Sequence, residues 1–229
     1  MTEEKPATLK QATLETLGYV CEEISHKDLQ EDEVNYVLYV VVQGMRYEES
    51  VDVRLTATRA LNNALNLAKT KFQNETDQNI IMKVLFETAI AEETIIRQST
   101  FECLVSISMY YDVFEPYMQE IFQLTAVVVQ GDKIVGLQAI KFWSSICDEE
   151  IKLQNYKVPD IHVSEVPHPR FIEKALSSLI PVLLDTLHEG KEDRDPDDGV
   201  WCYMSLSCGQ DCWRCHSTTC NALCPNPHA

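Results

Sequence analysis

The chain has 229 residues, 45% of them hydrophobic, with only seven glycines and nine prolines, so helix breakers are scarce and long helices are favoured. Thirty-six acidic against nineteen basic side chains leave a formal charge of −17, which repels nucleic acid and anionic lipid and points to basic partners. No apolar run approaches the ~20 residues that span a bilayer, and the start, Met1 to Pro6, carries no signal-peptide core, so a soluble intracellular chain without membrane insertion is expected.

Apolar residues recur at helical spacing from the beginning. Leu14, Leu17, Val20 and Cys21 predict a helix over about 7–25. A second is predicted over about 28–45, and Leu61, Ala64, Leu65 and Ala68 mark a third over about 53–72. Further helices follow over about 75–90, 93–111, 113–130, 132–153 and 168–187, joined mostly by short polar links. No segment alternates as a strand would. Two links are longer: Tyr156 to His168, with Pro159 and Pro167, reads as a surface loop. The run from Glu189 to Val200 crowds Glu192, Asp193, Asp195, Asp197 and Asp198 and reads as solvated.

The odd-numbered helices repeat one another. Lys10 to Leu14, Arg54 to Thr58, Arg97 to Phe101 and Gly136 to Ile140 stand in equivalent places, spaced by 44, 43 and 39 residues. Two helices per period of about 40 is the signature of HEAT or armadillo repeats, in which no unit buries its apolar face without a neighbour. The expected fold is therefore all-α, a right-handed α-solenoid of helical hairpins over 1–200, with repeats at about 7–45, 53–90, 93–130 and 132–187. The small residues Ala12, Ala57, Ser99 and Ala139 are expected where the first helix of each pair approaches its neighbours. Cys21, Cys103 and Cys147 are expected to be buried free thiols.

Several non-adjacent segments, KQATLETLGYVCEEI from Lys10 to Ile24, Val42-Gln43-Gly44-Met45, FWSSICDEE from Phe142 to Glu150 and the acidic run ending in Trp201, resemble the importin-β family, plant forms in particular. The likeness covers about 6–201, and it implies roughly the fourth to the start of the eighth repeat of a receptor with about nineteen. In that family the concave surface binds cargo or the basic segment of importin-α, the outer surface binds phenylalanine-glycine nucleoporins, and a small GTPase releases cargo.

The resemblance also implies sites. Leu38, Tyr39 and Val42 on one helix and Asp77, Ile80 and Ile81 on the next match positions that form a nucleoporin groove, with Tyr39 standing where relatives often have a small Thr. Glu192, Asp193, Asp195, Asp197, Asp198 and Trp201 match an acidic run that contacts the GTPase and basic cargo, with Lys191 and Arg194 diluting its charge. No cofactor or metal is implied, and the expected location is cytoplasm and nucleus, including the nuclear pore.

From Cys202 the resemblance stops. The tail over 201–229 holds six cysteines and no helical period. Cys212 to His216 formally fits a c-type haem attachment, and Cys208, Cys212, Cys215 and Cys220 could be written as zinc ligands, but neither motif has its expected surroundings. Shifting the frame by one nucleotide forces glycines at Trp201–Cys202 and Trp213–Arg214 and permits a string that resembles the family's continuation. A frameshift, an alternative splice junction or a gene-model error accounts for such a tail, which is expected to be disordered.

No glycine-rich phosphate loop and no spaced nucleophile with a base is present, and the six histidines fall near loops or in the tail, so an enzyme is not expected. Period and charge alone fit a HEAT scaffold or adaptor outside transport equally well, and a non-functional truncated product is a further alternative.

Overall fold

The computed structural model describes residues 6–25, 27–155 and 170–189, and those residues form helices and turns without a strand. The helices are α1 (Ala7–Glu23), α2 (Glu31–Gly44), α3 (Val51–Ala64), α4 (Glu75–Ala89), α5 (Thr94–Ile107), α6 (Met118–Gly131), α7 (Lys133–Asn155) and α8 (Phe171–Glu189). They fall into two compact units, one up to Ile107 and one from Ser108. The predicted loop after Tyr156, the acidic run and the cysteine-rich tail lie outside the described residues.

Local signals explain where helices begin. The Ser50 hydroxyl accepts from Val53 N–H ahead of α3, the Asn74 amide oxygen accepts from Thr76 and Asp77 ahead of α4, and Asp132 accepts from Ile134 and Val135 at the start of α7. At α2 the Gln30 N–H donates to the Glu33 carboxylate, half of a capping box.

Two predicted helices are shorter than their apolar patterns. The stretch 53–72 leaves the α-helix after Ala64 and continues as a 3₁₀ segment, Leu67–Gln73. Leu67, Ala68 and Phe72 stay buried through the change, so the apolar signal persists while the hydrogen bonding does not. A second 3₁₀ segment, Tyr111–Tyr117 with Pro116 inside it, precedes α6 where a helix from 113 was expected.

In the first unit α1 packs along α3 and α3 along α5, forming one layer, while α2 pairs with α3 and α4 with α5. The contacts within α1–α2 are sparser, and α3 and α4 scarcely touch. The better-packed hairpins are thus α2–α3 and α4–α5, one helix out of step with the expected grouping 7–45 and 53–90. Sequence spacing is the same whichever helix opens the count, and only the extent of packing sets the phase.

The α1–α3 approach depends on small residues. A Cβ on Gly18 would lie 3.3 Å from the Ala60 Cα and Cβ, and one on Gly44 would lie 2.9 Å from both the Ala57 Cβ and a Leu14 methyl. Ala57, Ser99 and Ala139 are buried as expected, but Ala12 is exposed, because it lies on the side of α1 away from α3. Ion pairs repeat with the helices. Lys10 Nζ meets Glu49 at 2.7 Å and Arg54 meets Glu93 at 3.2 Å, each joining the head of one odd-numbered helix to the turn before the next.

The second unit pairs α6 with α7 and sets α8 against α6. Its core is aromatic: Trp143 donates its indole N–H to the Thr125 hydroxyl at 3.1 Å, and Phe142 meets Phe114 and Trp143 edge-on. Buried Glu150, inside the FWSSICDEE segment, accepts from the Tyr111 hydroxyl and from Ile172 N–H, fastening the start of α8. Cys21, Cys103 and Cys147 are buried thiols, none of them in a disulfide.

Candidate functional site

Buried Val34, Leu38, Val41 and Met45 define the core face of α2. At 100° per residue, Glu31, Asn35, Tyr39 and Val42 fall along one flank of that face, and Tyr36, Val37 and Val40 along the other. The first flank is turned toward α4, because Glu31 reaches Lys71 in the 3₁₀ segment that leads into α4. On α4 the core face carries Ile81, Met82, Leu85 and Thr88, with Asp77 and Ile80 on one flank. Asp77 pairs with the same Lys71 ammonium at 3.6 Å, so the first turns of the two helices stand side by side.

The six residues that the resemblance implies for a groove divide by burial. Tyr39 (61% exposed) and Ile80 (51%) are open, Val42 and Asp77 are half-buried, and Leu38 (7%) and Ile81 (3%) belong to the core beneath. Leu38 and Ile81 can form only a floor for a ligand, whereas Tyr39, Val42, Asp77 and Ile80 present surface. Glu192, Asp193, Asp195, Asp197, Asp198 and Trp201 lie outside the described residues.

Sequence reasoning passed over Lys71. The expected helix over 53–72 contains it without marking it, yet among the described residues it is one of the few buried charges. A lysine flanked by Thr70 and Phe72, just before an acidic helix start, was the available signal.

Two further clefts border the first layer. One, of about 310 Å³, is polar and crosses α1, α3 and α5, lined by Gln11, Glu15, Arg59, Asn63 and Glu102 among others. The other, of about 550 Å³, is apolar and lies between α1 and α2, with Leu17, Val20, Val37 and Val40 on its walls. Among the described residues no group of three or more His, Cys, Asp or Glu side chains is placed to hold a metal ion, and no helix is long and apolar enough to cross a membrane.

Stacked hairpins, a 44-residue interval from Glu31 to Glu75 and ion pairs that recur with it define a HEAT-type α-solenoid. No family model matches the chain. It is 50% identical over 200 residues to importin subunit beta-1 of Arabidopsis thaliana, covering 86% of this chain and 23% of that protein. Against importin subunit beta-1 of Saccharomyces cerevisiae the identity is 32% over 212 residues, 90% of this chain and 24% of the yeast protein. A crystal structure of importin beta superposes with a TM-score of 0.82 at 32% identity, covering 92% of this chain and 25% of that one. A Kap95:Nup1 complex superposes with a TM-score of 0.78 at 29% identity, over 91% and 25% of the two chains. The chain belongs to the importin-β family, and it spans about a quarter of the length of these relatives.

Proposed function

We propose that this chain is part of a nuclear import receptor and acts as a binding surface, not an enzyme. Its ligand at the α2–α4 cleft is a phenylalanine-glycine nucleoporin segment. The observation that carries this is the partly exposed apolar surface above a closed core, Tyr39 and Val42 on α2 and Ile80 on α4, on two helices whose first turns Lys71 bridges. A phenylalanine ring entering such a cleft exchanges water for apolar contact on both faces. Membership of a family that includes Kap95, solved in complex with Nup1, supports the same ligand.

Two further partners follow from charge and family. The acidic side chains Glu192, Asp193, Asp195, Asp197 and Asp198, beside Trp201, attract a basic cargo segment or importin-α, and the same run meets a small GTPase. A solved structure of Kap95p with RanGDP supports the GTPase. Such a receptor works in cytoplasm, nucleus and the pore between them. The test is titration of the full chain against a labelled phenylalanine-glycine repeat peptide. Saturable binding is expected, and its absence in a chain shown by circular dichroism to be helical would overturn the proposal.

A further inference from the structure

Lys71 is 5% exposed, and its ammonium lies 2.9 Å from the Glu31 carboxylate and 3.6 Å from that of Asp77. Withdrawing an ammonium from water is costly unless it is paired. Here the hydrogen bond to Glu31 outweighs desolvation, and the lysine is held above its ordinary pKa. Its partners come from different helices. Glu31 opens α2, and Asp77 sits in the first turn of α4, its own N–H fixed by the Asn74 cap. Both carboxylates already suit a helix N-terminus, so what the lysine adds is the link between the two helices.

That link matters because α2 and α4 touch little directly. We propose that Lys71 is a positioning residue for the cleft: by strapping the first turns of α2 and α4 together it sets the spacing between Tyr39 and Val42 on one side and Ile80 on the other, and so the fit of an aromatic ring. This rests on the nucleoporin reading. A gap of about 0.5–1 Å on one side of a ring forfeits a quarter to a half of its dispersion attraction, so small changes in spacing reach the affinity. Lys71→Met removes the strap without leaving a buried charge unpaired, and Glu31, 79% exposed, is free to return to water, so that variant should keep its fold.

The experiment compares binding of a phenylalanine-glycine repeat peptide to the full chain and to Lys71→Met, Lys71→Arg and Glu31→Gln, with circular dichroism confirming the fold of each. Lys71→Met is expected to bind about fivefold more weakly, Glu31→Gln to shift the same way, and Lys71→Arg to stay near wild type. Added salt, which reaches the exposed Glu31, is expected to weaken wild-type binding and leave Lys71→Met unchanged. Equal binding by wild type, Lys71→Met and Glu31→Gln overturns the positioning role and leaves the nucleoporin reading standing. A folded wild type that does not bind overturns both. If Lys71→Met fails to fold, the surface variant Glu31→Gln decides.

Discussion

Ile80 and Ile81 are neighbours in α4, and replacing each with Asp should give opposite kinds of failure. Ile81 is 3% exposed. Its replacement removes about 1.5–3 kcal/mol of apolar burial and sets a carboxylate among Leu85 and Met82, which costs several kcal/mol more or forces protonation. The sum rivals the ~5–15 kcal/mol that holds an ordinary domain together. Ile81→Asp should therefore unfold the first unit at ambient temperature, and any binding lost with it says nothing about a site. Ile80 is 51% exposed, so Ile80→Asp forfeits only the half already covered, about 1 kcal/mol, and should leave the unit folded. A ring covering the open half of Ile80 gains roughly half of a full side-chain burial, about 1–1.5 kcal/mol, and its loss weakens the peptide about tenfold. Fluorescence anisotropy with a labelled phenylalanine-glycine peptide, beside thermal melts followed by circular dichroism, separates the two. A folded Ile80→Asp chain that binds as wild type refutes the cleft, and an Ile81→Asp chain as stable as Ile80→Asp refutes the burial on which it is built.

Gly44 and Gly131 both end an even-numbered helix, yet only Gly44 is confined. Gly44→Ala should destabilise by about 1–2 kcal/mol, because a Cβ at 2.9 Å from the Ala57 Cβ has no flexible neighbour to displace there, whereas nothing lies within 4 Å of a Cβ on Gly131 and Gly131→Ala should be neutral or slightly stabilising. Urea midpoints in the reverse order would refute this. Burial pushes the Cys103 thiol well above its ordinary value of 9.0. The folded state keeps the thiol neutral while the unfolded chain ionises it, so this contribution is whole below pH 9.0 and is lost as pH rises beyond it, by up to about 1.4 kcal/mol per unit. Urea midpoints from pH 8 to 10.5 should fall, and less steeply in Cys103→Ala, with an equal slope in both counting against the burial.

Among the described residues the helices were legible because each carries an apolar stripe at the helical period, and the repeat was legible because Lys10 and Arg54 head successive odd-numbered helices. Boundaries were less so. Asn62, Asn63 and Asn66, weak helix formers, coincide with the end of α3, but Leu67, Ala68 and Phe72 keep the apolar pattern running through a 3₁₀ segment, so the pattern reports burial and not hydrogen bonding. At the cleft the residue types were readable from the family likeness, whereas their division into floor and wall was not. Leu38 and Tyr39 are adjacent, and only the neighbouring helices decide which is covered.

The proposed cleft rests on the unequal packing of the two sides of the hairpins. On one side Gly18 and Ala60 let α1 and α3 approach closely, and Lys10–Glu49 and Arg54–Glu93 clamp α1 to the turn before α3 and α3 to the turn before α5. On the other side α2 and α4 carry bulkier exposed side chains, Tyr39 and Ile80, and their first turns are bridged by Lys71. Close packing in one layer fixes the repeat spacing, and at that spacing the second layer is left partly open. A repeat protein can thus hold its fold with one layer and offer ligands the gaps in the other, provided something sets the width of those gaps. The odd layer does this with small residues, Gly18 against Ala60. The even layer does it with a single buried lysine, whose two partners, Glu31 and Asp77, lie 40 residues before it and six after it, a pairing that no helical period announces.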